Sequence, residues 1–72
     1  MKRNKHGEIE IWVVTGNKGI FDATLTRETA RRRLKTLRGV GANKIRRPTD
    51  DEWREWAPVV ARREGIPLSN LS

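Results

Sequence analysis

Few side chains in this sequence are suited to catalysis. The single histidine, His6, lies in a basic segment at the start of the chain, and the serines are Ser69 and Ser72. The 72 residues include no cysteine and no tyrosine. A nucleophile, a base and an orienting group therefore cannot be assembled from the usual side chains. We predict that the protein is not an enzyme, binds no cofactor and acts on no small-molecule substrate.

Three consecutive carboxylates, Asp50, Asp51 and Glu52, are of the type that a metal ion or an acid–base pair would use. They directly follow Thr49, and a threonine with glutamate three residues later has the pattern of a helix capping box. Acidic residues at a helix N-terminus also complement the helix dipole, a role that requires no ligand. We therefore predict the start of a helix here and no metal site.

Positive charge is the strongest functional indication in the sequence. The chain carries 16 Lys and Arg against 9 Asp and Glu, a net charge of +7. Residues 27–49 hold nine of these bases and a single acid, Glu28. Such concentration favours a surface that binds a polyanion, either nucleic acid or an acidic protein face, over a face that only aids solubility. The residues predicted to contact nucleic acid or an acidic partner are Arg31, Arg32, Lys35, Arg38, Lys44, Arg46 and Arg47.

No aromatic residue is interleaved among these bases in the sequence. We therefore predict contacts mainly to phosphates, without base stacking or strong reading of base sequence. If six to ten such contacts form, raising the salt concentration from 50 to 200 mM would lower the affinity by about 10³- to 10⁵-fold.

The first part of the chain has the pattern of a β-hairpin. Glu8–Thr15 alternates as a strand, a Gly- and Asn-containing turn follows, and Ile20–Leu25 returns as a second strand. Phe21 is expected on the same face as Ala23 and Leu25, with Val13 opposite it. That pairing requires an odd-numbered loop, with Gly19 at a bulge position.

Two helices and one more strand follow. Thr26 is a suitable N-cap for a helix whose apolar stripe is Ala30, Leu34 and Leu37, and Gly39 is a suitable C-terminal glycine. Lys44–Arg47 has the pattern of a short third strand. The second helix begins at the capping box, and Pro58 should kink or split it. The element order ββαβα predicts an α+β fold, in which a three-stranded sheet packs on two helices.

The length of the chain allows one small domain. We predict a flexible basic tail over 1–7, a single α+β domain over 8–65 and a C-terminal tail over 66–72. The longest apolar run, Ile11–Val14, is far shorter than the about 20 residues that span a bilayer. With no signal-peptide pattern either, we predict a cytoplasmic protein without a membrane partner.

The sequence leaves two alternatives for the environment of Trp12. If Ile11 and Val13 face the core, Trp12 lies on the opposite face of the hairpin beside Val14 and Ile20. A helix on that face would make Trp12 an ordinary core residue. Without such a helix, Trp12, Val14 and Ile20 would form an exposed patch for protein docking.

A short segment, Leu37–Gly41 followed by Lys44, resembles the hairpin of helix-hairpin-helix DNA-binding modules. In that family, the N–H groups of a Gly-hydrophobe-Gly turn bind a phosphate at a helix N-terminus. The resemblance implies phosphate contacts by Gly39, Gly41 and Lys44. The sequence departs from the pattern because Pro48 would end the second helix within about two turns.

The overall character of the chain also resembles small phage-encoded transcription regulators, which act in antitermination and host shutoff. The resemblance lies in the basic start Met1–Lys5, the strand Glu8–Val14 and the helix with Arg31–Arg33. It implies binding to the large subunits of bacterial RNA polymerase near the RNA exit channel, in the cytoplasm of a bacterial host. The resemblance also implies that the bound protein displaces sigma factor and counteracts transcription terminators. It assigns no binding residue, and direct binding of DNA or RNA through phosphates is the alternative hypothesis.

Overall fold

The computed structural model of the protein describes residues 8–72, and the predicted basic tail over 1–7 lies outside them. The elements are β1 (Trp12–Gly16), β2 (Gly19–Thr24), α1 (Arg27–Leu37), β3 (Ala42–Arg46) and α2 (Asp50–Glu64). The three strands form one antiparallel sheet in the order β2-β1-β3. The predicted α+β class and the order ββαβα are confirmed.

The central strand β1 is buried on both faces of the sheet. Val13 and Val14 are each 0% exposed. Val14 packs in one core with Ala30 of α1, and Val13 packs in a second core with Ala57 and Val60 of α2. One helix therefore covers each face, which explains why successive residues of β1 are apolar instead of alternating with polar ones.

The patch of Trp12, Val14 and Ile20 is not an exposed surface in this fold. Val14 is fully buried beneath α1, and Trp12 is half-buried beside it. Ile20 packs against the other core. Of the two alternatives for this face, the structure has the one in which a helix covers it, although Trp12 keeps part of its surface exposed.

The hairpin adopts a different register from the predicted one. Val13 lies opposite Ala23 instead of Phe21. Gly16 and Gly19 are paired at the end of the hairpin, and Gly19 has a φ of 116°. A positive φ at this position is the conformation for which glycine is suited.

A β-bulge at Phe21 explains why strict alternation fails in β2. The pairs on either side of it are Val14 with Asp22 and Thr15 with Ile20, so Phe21 is an extra residue. Phe21 packs in the core beneath α1, whereas Ile20 packs in the core beneath α2. The prediction that Phe21 shares a face with Ala23 is wrong, because a bulge shifts the alternation by one residue.

The third strand is confirmed, with an earlier start than predicted. Ile45 faces the core beneath α1, as the alternation within Lys44–Arg47 indicates. β3 also carries an extra residue, Asn43, between the pair formed by Lys44 and Thr15 and the pair formed by Ala42 and Gly16. Each outer strand of the sheet therefore contains a bulge.

Both predicted helix starts are confirmed by their capping hydrogen bonds. Thr26 Oγ1 accepts a hydrogen bond from the N–H of Thr29 at 3.0 Å. At α2, Thr49 Oγ1 accepts from the N–H of Glu52 at 3.2 Å, and the Glu52 carboxylate accepts from the N–H of Thr49 at 2.9 Å. These bonds satisfy backbone donors that have no partner within a helix.

The helix ends and the effect of Pro58 differ in part from expectation. α1 ends at Leu37 and continues as a 3₁₀ turn, and the left-handed glycine that follows is Gly41 instead of Gly39. α2 runs through Pro58 without a break, so of the predicted kink or split the split does not occur. Pro58 and Arg54, whose carbonyl loses its helical donor, are exposed, and water can satisfy that carbonyl.

Residues 66–72 fold onto the domain, so the predicted C-terminal tail is wrong. Leu71 is 0% exposed and forms a parallel bridge with Ile9. The N–H of Ser72 donates to the Ile9 carbonyl at 2.8 Å, and the N–H of Ile11 donates to the Ser72 carbonyl at 3.2 Å. Leu71 lies outside any periodic segment of the sequence. No local pattern therefore predicts that it is buried. Among the described residues, neither helix has the length and apolar character that a membrane span requires.

Candidate polyanion-binding surface

The bases of α1 lie on two flanks of its buried stripe. Helical spacing places Arg33 on one flank, where its Nε lies 3.5 Å from Oδ2 of Asp22 in β2. Since β2 and β3 are the two outer strands, the other flank faces the β3 side of the domain. We call this second group the basic flank, and it consists of Arg27, Arg31, Lys35 and Arg38.

The basic flank and the neighbouring strand present cations without counter-ions. Seven exposed bases form no ion pair with a carboxylate of residues 8–72. Five of them lie on the basic flank and β3, and these are Arg27, Arg31, Lys35, Arg38 and Lys44; the other two, Lys18 and Arg62, lie elsewhere. Like charges at helical i,i+4 spacing, such as Arg31 and Lys35, destabilise a helix modestly. An unneutralised row of this kind is typical of a surface whose counter-ion is a ligand.

The remaining predicted contact residues have acidic partners within the domain. Their ion pairs are Arg32 with Glu28 at 3.6 Å, Arg46 with Glu52 at 2.7 Å and Arg47 with Glu10 at 3.3 Å. A ligand would have to compete with these carboxylates. The structure thus divides the seven predicted residues into four unpaired cations, which lie on the basic flank and β3, and three paired ones, of which Arg46 also belongs to β3.

Arg46 connects the end of β3 to the start of α2. Its guanidinium donates two hydrogen bonds to the Glu52 carboxylate, at 2.7 and 2.9 Å. Together with the N–H of Thr49, these donors lower the pKa of Glu52 to about 2, although partial burial acts in the opposite direction. The bidentate geometry gives Arg46 a structural role, since it fixes the capping residue of α2 against the sheet.

The Glu52 carboxylate should make the stability of the domain depend on acid. Because its folded pKa lies below the ordinary value of 4.5, its contribution is complete above about pH 4.5 and is lost as pH falls towards 2. We expect Glu52→Gln to lower the free energy of unfolding by about 1–2 kcal/mol at pH 7, less than the full pKa shift implies, since both partners are partly exposed. Urea titrations at pH 7 and pH 2 measure this difference.

At pH 2 the difference between Glu52→Gln and the unchanged protein should be much smaller. Glu55→Gln, at an exposed position on the same helix, is the matched control and should change the free energy of unfolding at pH 7 much less than Glu52→Gln does. A Glu52→Gln deficit that is equally large at both pH values would contradict the ionic role of Glu52.

Trp12 lies where the start of α1 meets the segment after β3. The guanidinium carbons of Arg27 and Arg47 lie 5.7 and 5.8 Å from the centroid of its ring. Arg47 is also paired with Glu10, whereas Arg27 is exposed and has no ion pair within residues 8–72. An exposed guanidinium–indole contact is worth about 0.5–1 kcal/mol. The sequence did not indicate this neighbourhood, because its three side chains come from distant positions.

The glycine turn does not have the geometry that the helix-hairpin-helix resemblance implies. Residues 42–46 after Gly41 form a strand, so no helix N-terminus lies at this turn. The N–H of Gly41 donates instead to the Arg38 carbonyl at 3.1 Å. Gly39 and Gly41 are therefore not placed to bind a phosphate as in that family, and Lys44 is an exposed strand residue.

Comparison with family models, with curated proteins and with solved structures found no significant match to this chain. Residues 8–72 contain no group of three or more side chains placed to hold a metal ion. The function is therefore argued from the geometry and charge of the basic surface.

Proposed function

We propose that the protein binds the sugar–phosphate backbone of nucleic acid through the basic flank of α1 and Lys44. The observation that carries this proposal is the row of exposed cations without carboxylate partners in the described part of the chain. Phosphates are the anions that occur in nucleic acid at regular and close spacing.

The dimensions of α1 suit such a backbone. Its 11 residues form a rod about 16 Å long, and side chains four residues apart are separated by a rise of about 6 Å. A duplex strand presents one phosphate per about 3.4 Å of its axis. The long, flexible side chains of the basic flank can therefore reach several successive phosphates at once.

The number of free cations sets the expected salt dependence. Four to five contacts give a slope of log K against log salt of about −3.6 to −4.5 on duplex DNA. Affinity should then fall by about 150- to 500-fold between 50 and 200 mM salt. This is less than the sequence alone indicates, because Arg32, Arg46 and Arg47 have partners within the domain.

Neutralising the basic flank should reduce this slope. We expect the triple variant Arg31→Gln, Lys35→Gln, Arg38→Gln to lower the slope by about 2.7, since each lost phosphate contact contributes about 0.9. All three positions are exposed, so the fold should be retained. Fluorescence anisotropy of a labelled duplex, titrated with protein at several salt concentrations, measures the slope.

The matched control removes the same formal charge elsewhere. Arg32→Gln, Arg54→Gln, Arg62→Gln changes three exposed bases outside the basic flank. It should change the slope much less than the flank variant does. Equal effects of the two triple variants would mean that binding follows net charge only, and that the basic flank is not the site.

RNA polymerase binding stays a prediction that rests on the phage-regulator resemblance. An acidic protein surface would also be attracted to the basic flank. A pull-down from nuclease-treated bacterial lysate at physiological salt distinguishes the two partners. Polymerase subunits retained by the unchanged protein, but not by the flank variant, would assign this surface to a protein instead of a nucleic acid.

A further inference from the structure

We propose that the Trp12 ring is a stacking site for an unpaired base, so that the preferred ligand is single-stranded nucleic acid. The inference rests on the proposed binding of phosphates by the basic flank. The proposed function involves contacts to the sugar–phosphate backbone alone, and the stacking site adds a contact to a base. Aromatic rings beside cationic grooves are the means by which proteins bind single strands without reading their sequence.

Trp12 lies at one end of the row of free cations. Arg27 is the first residue of both α1 and the basic flank, and its guanidinium lies over the indole ring. A strand whose phosphates follow Arg38, Lys35 and Arg31 in turn would therefore reach Trp12 at the end of the helix. The tertiary structure thus interleaves an aromatic residue with bases, although the sequence does not.

The Trp12 side chain is held by the core and keeps part of its surface exposed. Trp12 packs against the core that contains Val14, yet it is only half-buried. Arg27 is exposed, and within residues 8–72 it contacts the ring but forms no ion pair. An exposed contact of this type is weaker than the stacking of a base on an aromatic ring. A base can therefore displace Arg27, whose guanidinium then becomes available to a phosphate.

Arg47 should stay beside the ring when a base binds. Its pairing with Glu10 at 3.3 Å holds it in place, and it is less exposed than Arg27. A positive charge next to the stacked base favours the phosphate that is attached to it. In a duplex, by contrast, the bases are already stacked and paired, so only the phosphate row would be used.

The first test compares two ligands on the unchanged protein. One is an oligothymidylate of about 12 nucleotides, within the usual site sizes of single-strand binders, and the other is an abasic oligomer of the same length and charge. We expect the abasic oligomer to bind about 5- to 100-fold more weakly, with the same salt slope. Equal affinities would overturn the inference.

The second test changes the ring. Trp12→Leu keeps an apolar side chain on the core but removes the stacking surface, and Trp12→Phe restores an aromatic ring. We expect Trp12→Leu to weaken binding of oligothymidylate by a similar factor while duplex affinity is unchanged, and Trp12→Phe to recover most of the loss. Circular dichroism confirms that each variant is folded, and if Trp12→Leu is not, the comparison of ligands on the unchanged protein decides.

The outcomes separate this inference from the proposed function. A protein that binds none of the duplex, the oligothymidylate and the abasic oligomer refutes both. Equal binding of the oligothymidylate and the abasic oligomer supports the phosphate-binding function and refutes base stacking. Equal losses of duplex and single-strand affinity in folded Trp12→Leu also refute base stacking at this ring.

Discussion

Replacing Leu71 by alanine should lower the free energy of unfolding by about 2–5 kcal/mol, the usual cost of removing a large buried aliphatic side chain. Leu71 is 0% exposed and packs in the core beneath α2. The cavity would also loosen the bridge to Ile9, next to the hydrogen bonds of Ser72. A core of this size rarely supplies more than about 3–5 kcal/mol of stability. A large fraction of the Leu71→Ala molecules should therefore be unfolded at room temperature. Urea unfolding followed by far-UV circular dichroism measures the loss.

The matched control for this substitution is Leu68→Ala. Leu68 lies in the same C-terminal segment but is 42% exposed. Its replacement should cost less, because 42% of its surface stays in contact with water, whereas none of Leu71 does. If Leu71→Ala and Leu68→Ala unfold at the same urea concentration, residues 66–72 do not pack on the domain in solution.

The second large effect is expected for Gly16→Ala. A methyl group on Gly16 would overlap the carbonyl oxygen of Gly41 and lie 2.8 Å from Cε1 of Phe21. The Phe21 ring can move, but the Gly41 carbonyl belongs to the backbone that leads into β3. Relieving the overlap would separate β3 from β1, and overpacking of a less severe kind already costs about 1–3 kcal/mol. We expect a loss of at least about 3 kcal/mol.

Gly39→Ala is the control for this prediction. A methyl group on Gly39 would meet no atom within 4 Å, and Gly39 does not have a positive φ. The variant should be about as stable as the unchanged protein. Thermal unfolding of the two variants provides the comparison. Equal melting temperatures would show that β1 and the turn before β3 do not approach as closely as described.

Those parts of the fold that depend on neighbouring residues were predictable from the sequence. Thr26 and Thr49 start their helices because capping hydrogen bonds form within three residues, and Gly65 ends α2 because its φ of 70° suits glycine. The hydrophobic period gave the helix and strand types. The inward position of Ile45 followed from the same alternation.

Features that depend on distant residues were not predictable. The bulge at Phe21 and the burial of Leu71 result from packing between segments that are far apart in sequence. The same holds for the covering of both sheet faces, since the burial of Val14 requires α1. A strand buried on one face can also carry an apolar residue on its exposed face. Its sequence then looks the same as that of a strand buried on both faces.

The sequence predicted which cations belong to the candidate site, but not which of them are paired with carboxylates. The charge of residues 27–49 predicted a polyanion-binding surface, and Arg31, Lys35 and Arg38 of that segment are exposed. Which cations are neutralised depends on the tertiary fold, as the pair of Arg46 with Glu52 shows. The neighbourhood of Trp12 depends on it as well.

The two bulges have a consequence for how copies of this protein behave when they are crowded. Outer strands of a sheet present backbone groups to which a strand of another molecule can add, and irregular or charged edges prevent such addition. The extra residues, Phe21 and Asn43, lie in the two outer strands, where Asp22 and Lys44 add charge next to them. Neither edge is therefore a regular template for edge-to-edge aggregation. Many copies at high concentration would therefore remain separate folded units.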